Sequence, residues 1–242
     1  MSTEPADVPP YLLPFVLPHE PVDPETVEEI DLYLPGTTPA PAVLMVHGGP
    51  LRPDLPVRPR DWPAFRGYGA LLAQAGIVGA MFEHGFVGED SLGEARDHIR
   101  EGLRSVREDP RVDAERLGIW FFSAGALFLG AVLADAPGWD VAATAGTYGM
   151  VGDPELGASG WPQATSTAEH SSVPLLLVRP EHDHDWIASA NDELLERCRA
   201  AGRPVDVIEV PGGHHSFENV DDTDASRDAI RRSIAWWADT LS

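Results

Sequence analysis

The chain has 242 residues, 43% of them hydrophobic and 23% charged, with a formal net charge of −22 at pH 7. That length suits one α/β domain with a sizeable core, and the strongly acidic balance excludes nucleic acid and anionic membrane surfaces as expected partners. All seventeen cations are arginine, so no lysine is available for Schiff-base chemistry, and the one cysteine, Cys198, excludes an intramolecular disulfide.

No basic start followed by an apolar core opens the chain, and no apolar run approaches the ~18 residues a membrane helix needs. The expectation is a soluble, cytoplasmic protein. Residues 1–25 are rich in proline and acid and read as an extended N-terminal arm, with a single domain over 26–242. "EEIDLYLP" (28–35) alternates as a half-buried strand does. "AVLMVHGG" (42–49) is a nearly continuous apolar run, as in a buried central strand. A proline-rich loop, "LRPDLPVRPRDWP", precedes a short helix ending near Ala75, and "GIVGAMF" (76–82) is the next buried strand.

Leu92, Ala95, Ile99, Leu103 and Val106 then recur at helical spacing over 92–109. "RLGIWFF" reads as a strand and "AGALFLGAVLADA" as a buried helix. "WDVAATAGTYG", "VPLLLVRP" and "PVDVIEVPG" are the last three strands. A helix over about 185–201 lies between the final two, with Cys198 on its packed face beside Ile187 and Leu194. The closing helix carries Ile230, Ile234, Trp237 and Leu241. The stretch 150–172 lacks apolar periodicity and reads as a small lid or a long connection. Alternating strands and helices imply a mostly parallel central sheet with helices on both faces. Ligands in such sheets bind at the carboxyl ends of the strands.

The polar clusters follow those ends. In "GIWFFSAGA", Ser123 stands where a strand turns into a helix, as in the nucleophile pattern G-x-S-x-G. Gly125 supplies the second glycine, and Phe121 replaces the first. A serine nucleophile needs a base, a group to orient the base, and N–H donors for the oxyanion. "RPEHDHD" offers Asp183, then Asp185 or Glu181, as the orienting acid. "GGHHSF" offers His215, with His214 as competitor, as the base. The donors would be the N–H of Ala124 and, from "HGGP", that of Gly49, since Pro50 has none. The same histidines and carboxylates would suit zinc, but a metal leaves Ser123 and "HGGP" unexplained, so neither metal nor cofactor is expected. Glu83 and His84 in "FEHG" are candidates for the site rim. Arg52, in the loop that also bears Arg58, Arg60 and Trp62, is a candidate for a substrate carboxylate. Trp186 is a candidate for the pocket wall.

Over about 28–242, the motifs "VLMVHGGP", "RLGIWFFSAGA", "LLLVRPEHD" and "GGHHSFE" resemble the dienelactone-hydrolase-like branch of the α/β-hydrolase superfamily. The resemblance implies a three-layer α/β-hydrolase fold and aligns Asp183 with the acid. It selects His215, followed by Ser216 and Phe217, over His214. That branch often carries cysteine at the elbow, so serine here points to esterase-like chemistry. The implied function is a serine hydrolase cleaving a small-molecule carboxylic ester or lactone through an acyl-enzyme on Ser123. The alternatives are an acyltransferase or cyclase on the same scaffold, or a ligand-binding non-enzyme.

Overall fold

A computed structural model describes residues 8–52 and 54–242. Eight strands form one sheet: β1 (Glu25–Val27), β2 (Ile30–Tyr33), β3 (Ala40–Val46), β4 (Val78–Met81), β5 (Val112–Phe122), β6 (Ala143–Thr147), β7 (Leu175–His182) and β8 (Asp206–His214). Their spatial order is β1-β2-β4-β3-β5-β6-β7-β8. β1 and β2 run antiparallel at one edge. All the other pairings are parallel, as the alternation of strands and helices predicts.

The two sheet faces are covered by separate layers. On one, the Leu92–Glu108 and Asp185–Ala200 helices bury Ile99, Leu103, Leu194 and Cys198 against Leu44, Ile119 and Leu177. On the other, the Pro63–Gln74 and Asp224–Thr240 helices bury Tyr68, Leu72, Ile230 and Trp237 against Met45, Trp120 and Leu176. The central strands are thus apolar on both sides, which is why they read as continuous runs rather than alternating ones. From β3 the chain crosses to β4 on one side and then to β5 on the other. The connections leaving the carboxyl ends of β3 and β5 therefore go to opposite faces of the sheet and leave a crevice between them.

Three elements differ from expectation. β2 is buried at all four positions rather than alternating. β1 covers its outer edge, and Asp31 accepts a hydrogen bond from the Thr26 hydroxyl at 2.6 Å. β1 also starts at Glu25, so the arm ends one residue earlier than the composition suggested. The expected helix after Ser123 is a 3-10 turn over Ser123–Phe128 followed by a short helix over Leu129–Ala134. Pro137 stops it: proline has no N–H to give to the carbonyl one turn back, so the chain leaves helical geometry at Asp135 and starts a second short helix over Ala136–Trp139. The rest of the arm is packed rather than free. Leu17 is buried, the Val16 N–H donates to the Glu218 carbonyl at 2.8 Å, and Asn219 Nδ2 donates to the Leu13 carbonyl at 2.7 Å.

Candidate functional site

Ser123 follows directly on β5 with φ of +50°. This left-handed conformation is uncommon for a residue with a side chain and persists only where the surroundings enforce it. The enforcing contact comes from the end of β3. A Cβ on Gly125 would lie 2.6 Å from the His47 carbonyl oxygen and 2.7 Å from that of Val46. Gly125 is therefore the small residue that lets the turn close onto β3. Phe121 is fully buried in the sheet core and pairs in register with Gly146 of β6. The ring that replaces the first glycine of the motif is thus taken up by the core rather than by the turn.

Ser123 Oγ donates to His215 Nε2 at 2.8 Å, and His215 Nδ1 donates to Asp183 Oδ1 at 2.8 Å. Ser123, Asp183 and His215 thus come together from three strand ends. The Asp183 side chain is only 3% exposed, and its Oδ1 also accepts the His184 N–H at 2.7 Å. His214 turns outward to Asp221 at 3.0 Å, and the other acidic candidates are placed elsewhere: Glu181 accepts from the Gly212 N–H, and Asp185 opens the following helix. Asp183, His184 and His215 bring one potential metal-ligand atom each within 4.8 Å of one another. Both His215 nitrogens are engaged, so an ion there would break the bond to Ser123 or the one to Asp183.

The glycine turn after β3 abuts the serine. A Cβ on Gly48 would lie 2.9 Å from Ser123 Cβ. Gly49 lines the same cleft, and Ala124 occupies the first turn after Ser123, where helical N–H groups have no partner within the helix. The turn is braced from beneath. His84 Nε2 donates to the His47 carbonyl at 3.0 Å, His84 Nδ1 accepts from the Phe86 N–H at 3.3 Å, and the two imidazoles stack at 3.9 Å. The Leu51 N–H donates to the Phe86 carbonyl at 2.7 Å. Burial pushes His84 down to about 4 and His47 well below the ordinary histidine value. Both rings are therefore neutral at pH 7.

Three of the expected substrate contacts lie away from this cleft. His84 is fully buried beneath the turn rather than at the rim. Glu83 is held by Arg58 at 2.7 Å and Arg60 at 3.4 Å, which ties down the loop over 51–62. Trp186, half exposed, borders a separate groove with Asp153 and Gln163. Arg52 does line the cleft, but its exposed guanidinium is paired with Asp54 at 2.9 Å. The 150–172 stretch packs on the Leu129–Ala134 helix, with Trp161 Nε1 donating to the Leu127 carbonyl, and is not among the cleft's lining residues.

The cleft has a volume of about 480 Å³. Its walls include residues the sequence reading passed over: Tyr11 from the arm, tilted against Trp62 with ring centroids 4.6 Å apart, together with Phe65, Phe122, Tyr148 and Glu218. The Tyr148 ring lies 4.6 Å from that of His215, and its hydroxyl donates to Glu218 Oε1. Burial pushes the Glu218 carboxyl up to about 7. Tyr148 directly follows β6, in "GTYGM", so the strand-end rule would have found it.

The architecture is that of an α/β hydrolase. The dienelactone hydrolase family model matches residues 78–241, and the chain belongs to that family. Solved structures with the same fold include the thermostable carboxylesterase EstE1 from a metagenomic library, at 17% identity and TM-score 0.71 over 94% of this chain and 92% of that one. An arylesterase is similar at 15% identity and TM-score 0.71, covering 94% and 88%. Porphyromonas gingivalis dipeptidyl peptidase 4 is similar at 19% identity and TM-score 0.68; 91% of this chain is covered, and it spans only 35% of that protein's length. Comparison with curated proteins gives no match.

Proposed function

We propose that the protein is a serine hydrolase that cleaves a small-molecule carboxylic ester or lactone through an acyl-enzyme on Ser123. The observation that carries this reading is the unbroken hydrogen-bonded chain from Ser123 to His215 to Asp183 at the mouth of an aromatic cleft. Ser123 Oγ attacks the carbonyl carbon while His215 Nε2 takes its proton. Asp183 keeps the Nδ1 proton in place and stabilises the imidazolium that forms. The oxyanion is held by the N–H groups of Gly49 and Ala124, fixed donors that need no rearrangement as charge develops. The tetrahedral intermediate collapses, the C–O bond to the leaving alcohol breaks, and His215 returns the proton to that oxygen. Water, deprotonated by His215, then releases the acid and restores Ser123.

A hydrolysis screen over p-nitrophenyl esters, lactones and thioesters, with Ser123→Ala as blank, tests the proposal. The expected result is turnover of esters or lactones that falls on the order of 10⁴-fold in the variant. Turnover retained by folded Ser123→Ala, or no turnover of any class by the wild type, overturns it.

A further inference from the structure

We propose that Glu218 selects the substrate, taking the ammonium group of an amine-bearing ester into the cleft beside Ser123. This rests on the reading of Ser123 as an ester-attacking nucleophile. Glu218 is 2% exposed and lines the Ser123 cleft. One carboxyl oxygen accepts from Tyr148, while Oε2 has no hydrogen-bond partner among the described residues. A buried oxygen without a partner is costly, and a donor brought by the ligand removes that cost.

The remaining walls suit a cation. Tyr11, Trp62, Phe65 and Phe122 present aromatic rings, whose faces attract ammonium groups. Among the described lining residues, the only arginine is Arg52, and it is spent on Asp54. No fixed cation of the cleft therefore competes for Glu218. The net charge of −22 draws cations toward the molecule and disfavours anionic substrates. Burial holds the lone Glu218 carboxyl at about 7, and an arriving ammonium favours its charged form.

Two matched pairs of esters test this. The acyl-side pair is p-nitrophenyl 2-aminopropanoate and p-nitrophenyl 2-methylpropanoate. The alcohol-side pair is 4-(2-aminoethyl)phenyl acetate and 4-propylphenyl acetate. In the wild type, one pair is expected to favour the amine by about ten-fold or more in kcat/KM, the size of a hydrogen bond to a charged group. In Glu218→Gln that ratio is expected to fall toward one. Reading the ratio within each variant cancels any general loss of activity. Wild-type ratios near or below one in both pairs, or a ratio unchanged in Glu218→Gln, overturn the proposal. Should the variant fail to fold, inhibition of the wild type decides: propylammonium is expected to compete with the neutral ester where propan-1-ol does not, and equal inhibition by the two refutes it. Neutral esters turned over through Ser123 without any amine preference sink this proposal alone. No ester turnover at all sinks the hydrolase reading with it.

Discussion

Acidification is expected to destabilise the fold through the histidines beneath the glycine turn, and His84→Gln measures how much. In the folded chain His84 is held down to about 4 from an ordinary value of 6.5. Unfolded His84 therefore takes a proton as pH falls through 6.5, while the folded chain resists until about pH 4. The stability that His84 contributes is complete above pH 6.5 and is lost progressively between 6.5 and 4. A shift of that size corresponds to about 3 kcal/mol at 1.36 kcal/mol per pH unit. Glutamine keeps a donor where Nε2 reaches the His47 carbonyl but loses the 3.9 Å stack. At pH 7.5 the variant is expected to be less stable by about 1–2 kcal/mol, a typical cost for disturbing a packed core. On acidification its stability should fall less steeply than that of the wild type, with the two curves meeting or crossing by pH 4.5. Urea unfolding at unit pH steps from 4.5 to 8.5 provides the curves. Parallel curves refute the argument that His84 is a neutral brace. His47 remains in both proteins, so the variant keeps part of the acid limb.

Glu218 acts in the opposite direction. Its carboxyl is raised from 4.5 to about 7, so the stability it contributes is present below pH 4.5 and is lost as pH rises through 7. Glu218→Gln should flatten urea stability between those pH values by about 3 kcal/mol relative to the wild type. Gly125→Ala forces a methyl to within 2.6 Å of the His47 carbonyl oxygen. The expected cost is about 1–3 kcal/mol in urea unfolding, with a fall in kcat of at least about ten-fold as the glycine turn separates from Ser123. Tyr11→Ala removes the ring packed against Trp62 and opens the cleft wall. Steady-state kinetics should show KM rising several-fold with kcat little changed, the pattern of lost uniform binding.

The sheet was legible in the sequence because strands buried on both faces leave apolar runs, as in β3, β4, the second half of β5 and the start of β7, while the edge strand β8 shows as an alternating pattern. The 92–108 helix was legible because one face is polar, giving a clean stripe. The meeting of Ser123, Asp183 and His215 was legible through strand ends, since a parallel sheet gathers those ends at one edge. What sequence did not disclose were contacts made across large separations. His84 sits in a strand-end cluster like the others, yet its ring turns inward beneath His47, a choice set by the stacking and by the carbonyl it finds there. Trp186 stands one residue from the helix start and points to a different groove. Tyr11 and Glu218 meet in the cleft only because the arm crosses the molecule to bond at Glu218 and Asn219. Composition alone made that arm look detached. The burial of Phe121 likewise depends on residues distant in sequence, since its core cluster draws on elements along the whole chain.

Covalent trapping with an ester-mimicking fluorophosphonate, followed by mass spectrometry of the digested protein, reads out whether Ser123 is an activated nucleophile. A single adduct on Ser123 is expected, absent from Ser123→Ala and formed far more slowly in His215→Ala. An unlabelled Ser123 in the folded wild type, or labelling of another residue that persists in Ser123→Ala, would contradict it.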